Sequence, residues 1–319
     1  MKRLLFVTIL AGLAWTGHWF WSAHSLRQQT DGWFAALRSA GWTAQYDDVS
    51  ILGFPNRLDQ TFTDITLTAP EAALTWQAPF LQVFRLSYNP SHLILIWPED
   101  QTLTTPAATT TITDKGLRAS LILDGGEILR SNLEAAALTF TTAENTLALT
   151  GLTAALTHID GPSYRLALNA EDASRQSDEQ AAQDPGGVVF DATVTFDRLF
   201  TTTTLNGPRP QPQQIALRLA EYRRGDQSLK LSGDLTLDDM GRASGTLSLQ
   251  ATRGRDMLAL LHDQGALPLA LFDPLEQALT LSGNMNGSAD TLDLTLKVYR
   301  GTVSLGLIPL GQLPPLRLP

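Results

Sequence analysis

Two regimes of apolar patterning divide the chain. From Leu4 to Trp21 no charged residue interrupts a run of apolar-dominated positions, and Lys2-Arg3 precede it. At a rise of 1.5 Å per residue such a helix covers roughly 27 Å, close to the ~30 Å of a bilayer's hydrocarbon. The run predicts a transmembrane anchor over residues 1–21, with Trp15, Trp19, Phe20 and Trp21 at headgroup level, where amphipathic rings prefer to sit. A short basic arm ahead of a long body stays in the cytoplasm while the body is carried across, so the expected placement is single-pass in the inner membrane with the body in the periplasm. The alternative is a cleaved signal peptide, with Ala23 before the cut and Trp21 where a second small residue is wanted.

Leu26, Trp33, Phe34 and Leu37 then recur on one helical face, and Gly41 is placed to stop the helix, so residues 22–41 read as a stalk. Beyond Trp42 the period becomes two. Asp64 to Thr68, Phe84 to Tyr88, His92 to Trp97, Ala119 to Asp124, Thr146 to Thr157 and Tyr164 to Ala170 alternate or run as short strands, with turn residues about every 10 positions. That spacing predicts an antiparallel β architecture, not βαβ units. Residues 42–170 form the first β region. Residues 171–187 lose both period and large apolar side chains and read as a flexible loop, and residues 188–319 form a second β region, with a Pro-rich break over 206–212. Within it, Asp238-Asp239-Met240-Gly241 is a hairpin loop, Leu-Ser-Gly recurs at 231–233 and 281–283, and two short helices are expected near 256–278.

Composition narrows the chemistry. The 17% of charged residues lies below the roughly 25% of an average soluble domain, and Thr, Leu and Ala make up the difference, which favours strands. A net charge of −9 without a basic patch excludes nucleic acid as a partner. With no cysteine there is neither a disulfide nor thiol chemistry. His18, His24, His92, His158 and His262 form no pair at ligand spacing. Adjacent carboxylates such as Asp47-Asp48, Glu99-Asp100 and Asp238-Asp239 point to opposite faces of a strand or into solvent at a turn. No phosphate-binding glycine loop, nucleophile elbow or calcium loop is present, so no catalytic residue, cofactor or metal ligand is expected.

The anchor, Gly41-Trp42, Gly53-Phe54-Pro55 with Arg57, Trp76-Gln77-Ala78-Pro79 and the closing Gly301 to Gly306 with Ile308-Pro309-Leu310 resemble an uncharacterised Gram-negative envelope family over almost the whole chain. By architecture the chain is also similar to the AsmA-like envelope proteins, and that likeness implies lipid-lined β-sheet grooves. Physically, Gly53 suits a bulge or tight bend, Pro55 fixes the chain beyond it, Arg57 can pair a carboxylate, and Trp42 with Trp76 can pin the stalk to the first sheet. The expected fold is mainly β, an elongated or curved antiparallel sheet with an N-terminal helix. The expected function is non-enzymatic, the binding or guiding of an amphiphile, a lipid, on an apolar sheet face. A structural scaffold that holds envelope proteins with a filled core, and an envelope hydrolase, are the alternatives.

Overall fold

The alternation beyond Trp42 becomes antiparallel strand, as expected. The computed structural model describes residues 1–69, 73–175, 186–204, 209–254, 256, 259, 276 and 291–318. They form two compact units, Met1–Leu147 and Ala148–Pro319. The division falls earlier than the low-complexity stretch over 171–187. Of the expected helices near 256–278 only Asp256, Ala259 and Glu276 are described, all helical, and the second Leu-Ser-Gly and His262 lie outside the described residues.

The first unit opens with α1 (Lys2–Ser39), one continuous helix through both the anchor and the stalk of the sequence reading. It is long and apolar enough to cross a membrane. Its strands are β1 (Thr43–Gln45), β2 (Asp48–Leu52), β3 (Arg57–Ala69), β4 (Leu74–Leu86), β5 (Asn89–Ile96), β6 (Asp100–Thr104), β7 (Thr109–Lys115), β8 (Arg118–Asp124) and β9 (Glu127–Thr141). β3 pairs with β4 over almost its whole length. The opposite side of β4 meets β5 at residues 82–86 and β6 at 75–77. β9 likewise meets β8 and then β7. β5 with β6, and β7 with β8, are therefore two strands, each interrupted once.

The interruptions have a physical cause. Pro98 lacks an N–H, and Gly116 adopts a positive φ of 73°, so each strand leaves its ladder there. A buried polar chain closes the gap: Trp76 Nε1 donates to Gln101 Oε1 (2.9 Å), Gln101 Nε2 donates to Asp114 Oδ2 (3.1 Å), and Asp114 Oδ1 accepts from the Leu117 N–H (2.9 Å). Burial pushes the Asp114 carboxyl above its ordinary range, against these two hydrogen bonds, which favour the charged form. Pro79 lies inside β4, opposite the same gap and at the position the register with β3 skips, between Thr63↔Phe80 and Ile65↔Ala78, so no ladder bond is lost there.

The second unit is a meander of β10 (Thr146–Asp160), β11 (Ser163–Ala170), β12 (Asp172–Arg175), β13 (Gly186–Phe196), β14 (Pro212–Arg224), β15 (Gln227–Leu237), β16 (Ala243–Thr252), β17 (Thr291–Tyr299), β18 (Thr302–Leu305) and β19 (Ile308–Gln312). The stretch read as a loop thus carries strand at both ends, where Asp172 Oδ1 accepts from the Gly186 N–H (3.1 Å). At the β15–β16 turn Asp238 Oδ1 accepts from Met240 and Arg242 N–H groups (3.0 and 2.9 Å), as the hairpin reading requires.

Candidate functional site

Two features of the chain invite a ligand or a surface: the place where α1 meets the sheet, and the apolar sheet faces. On α1 the buried residues are Trp19, Leu26, Thr30, Phe34 and Leu37, one stripe along the helix. Leu37 and Phe34 join Val49, Phe62 and Ile65 in a core onto which Trp42 and Trp76 pack. Polar contacts fix the register. Gln60 Nε2 donates to Thr30 Oγ1 (2.6 Å), Arg27 Nη2 to the Val49 carbonyl (2.6 Å), and Arg38 Nε to the Ala44 carbonyl (2.9 Å). The helix is therefore laid along the first sheet and does not hold it at a distance.

At its start the docked stretch meets the turn between β2 and β3. Gly53 has φ of 100°, and a Cβ there would lie 2.9 Å from the Arg57 carbonyl oxygen, so only glycine fits this bend. The Phe54–Pro55 peptide is cis. Trp15 Nε1 donates to the Pro55 carbonyl (3.0 Å) and Trp19 Nε1 to the Arg57 carbonyl (2.7 Å), so two indoles about one helical turn apart hold the turn that leads into β3. The Phe54 ring lies edge-on to Trp19 and stacked on Phe20. Trp19 is buried with Leu26 and Leu58, whereas Trp15, Phe20, Trp21, Leu52 and Phe54 are exposed. The four aromatics expected at one headgroup collar therefore divide, and Trp19 belongs to the protein core. Arg57 pairs with Asp59, two residues on along the same strand face, and its guanidinium lies over Phe84.

The helix-facing side of the first sheet extends past α1. Register places Leu58, Arg85, Leu93 and Leu121 side by side on it, and Val83 beside Leu95. Leu58 is covered by the helix, while Val83, Arg85, Leu93, Leu95 and Leu121 are half-buried. Arg85 was not singled out by the sequence reading, although the alternation Leu81, Val83, Arg85 puts a cation on an otherwise apolar face.

In the second unit the alternation is stricter. One row across the strands is Tyr164, Val194, Ile215, Leu235, Gly245 and Val298, and the third along is Leu168, Phe190, Ala220, Leu231, Leu249 and Leu294. The first row is mostly buried, packed with Phe196 and Phe200 at one side and with Leu310, Leu313 and Leu316 of the C-terminal segment at the other. Every member of the third row is only half-buried. The opposite face is polar, with Arg165 and Arg218 on Asp191 and Lys230 on Glu221 across adjacent strands. The Arg165 guanidinium holds the Asp191 carboxyl below its usual range.

Of the histidines, His158 bonds the Gly161 carbonyl through Nε2 (2.7 Å) and leans on the Tyr164 ring, and His92 is exposed. Among the described residues no three of His, Asp and Glu come together as a metal site. No curated protein and no solved structure matches the chain. A family model does match, from Trp19, where α1 becomes buried, to Pro314. The chain belongs to DUF2125, a family of uncharacterised proteins conserved in bacteria, whose model covers residues 19–314.

Proposed function

We propose that this is a non-enzymatic envelope protein that binds or guides an amphiphile, a lipid, on the apolar faces of its sheets. In this reading α1 holds the chain in the inner membrane with both units in the periplasm. The observation that carries it is the third row of the second unit. In a filled sandwich a second layer buries the whole inner face, yet Leu231, Leu249 and Leu294 stay half-exposed beside the buried Leu247 and Leu296. A contiguous apolar row left only partly covered offers a ligand apolar area to bury. A second reading, a scaffold for envelope protein partners, draws on the packed first row, which resembles an ordinary core.

Mass spectrometry of the organic extract separates them. The full chain purified in detergent is expected to carry a lipid in roughly molar amount, enriched over an unrelated single-pass protein purified alongside. No enrichment over that control favours the scaffold.

A further inference from the structure

Arg85 stands apart from the other arginines of the first unit, of which Arg3 and Arg130 are simply exposed to solvent. Arg27 and Arg38 bond backbone carbonyls, and Arg57 and Arg118 face carboxylates. Arg85 has no carboxylate beside it among the described residues, and its Nε is shut off from solvent without a hydrogen bond. Burial lowers its pKa with no charge nearby to oppose the shift. A half-buried cation left without a counter-charge costs stability. Its neighbours across the ladder are Leu58 and Leu93, and Leu58 lies under Trp19 and Leu26. The uncharged run of α1 ends at Trp21, two residues past Trp19, so in the anchor reading Arg85 lies near the height of the bilayer's phosphates.

We propose that Arg85 is the headgroup anchor of an amphiphile site on the first unit's sheet: its guanidinium holds the phosphate of a membrane phospholipid whose acyl chains lie along Leu93, Leu95 and Leu121 of the same face. The assignment rests on the amphiphile reading above and adds the lipid class to it. A planar guanidinium suits a phosphodiester, since it presents parallel N–H donors to two oxygens. Half-buried leucines beside it supply the apolar surface that the chains need, and the adjoining spanning helix gives a lipid a path from bilayer to sheet.

The test uses the full chain in detergent micelles, titrated with fluorescent phosphatidylglycerol and with diacylglycerol of the same chains, for the wild type and Arg85→Met. The wild type is expected to prefer the phospholipid by about tenfold or more, the range of a charge-assisted hydrogen bond. Arg85→Met is expected to lose that preference, keep its diacylglycerol affinity, and melt at a higher temperature because an unpartnered cation has gone. Arg85→Lys is expected to keep part of the preference. Equal wild-type affinity for the two lipids overturns the assignment, and so does an undiminished preference in Arg85→Met. The wild-type comparison stands without the variant if Arg85→Met does not fold. Full displacement of the phospholipid by equimolar glycerol phosphate makes the occupant a soluble phosphate and also overturns it. Binding of neither lipid to the wild type defeats the amphiphile reading itself, a result distinct from loss of the preference alone.

Discussion

Replacing Trp19 with alanine is expected to cost about 3–5 kcal/mol, the range for truncating a buried aromatic. The ring is 6% exposed, lies against Leu26 and Leu58, and donates from Nε1 to the Arg57 carbonyl at 2.7 Å. Its loss opens the seam between α1 and the turn over residues 53–57 and leaves that carbonyl without its donor. Trp19→Phe keeps most of the buried area and is expected to cost about 1 kcal/mol, the share of the hydrogen bond. Trp21, 68% exposed, supplies the control, and Trp21→Ala is expected to change stability by less than about 0.5 kcal/mol. Urea unfolding in a fixed detergent, followed by near-ultraviolet circular dichroism, reads all three. Equal, small effects at Trp19 and Trp21 are what a uniform lipid-facing collar gives, and they contradict the docked helix.

Gly233→Val is the second large effect, and it acts on the other unit. Gly233 has φ of 143°, and a Cβ there would lie 2.2 Å from the Thr246 carbonyl oxygen on the paired strand. That atom is backbone, so no side-chain rotation relieves the overlap. Strained backbone costs about 1–3 kcal/mol, and forcing new atoms into a packed contact costs a similar amount again. Gly233 pairs with Leu247, and the register of β15 with β16 aligns the half-exposed Leu231 and Leu249. The variant is expected to lose hydrogen-exchange protection across β14–β17 while the α1 contacts of the first unit remain protected. Uniform loss across both units contradicts this assignment.

The strands were legible because period two needs only local alternation, and the long apolar N-terminal helix because an uncharged run declares itself. What α1 packs against was not. Trp19 and Trp21 are the same residue two positions apart, and nothing local distinguishes the one that meets a sheet from the one left outside. The two interrupted strands were only partly legible: Pro98 and Gly116 are visible breakers, but that Trp76, Gln101 and Asp114 bridge the gap depends on pairing between distant strands. Polar residues over 171–187 suggested a loop, whereas the units divide between Leu147 and Ala148, inside an alternating strand with no change of composition. Arg85 carried a readable signal in its parity with Leu81 and Val83. Its lack of a counter-charge is a tertiary fact.

Photo-crosslinking from single positions in living cells tests the central claim most directly. A benzophenone amino acid at Leu231 or Leu249 lies on the half-exposed apolar face, and at Lys230 or Gln250 on the polar one. The amphiphile reading predicts lipid adducts from 231 and 249 and none from 230 and 250. Protein adducts alone at 231 and 249, or no difference between the two faces, would contradict it.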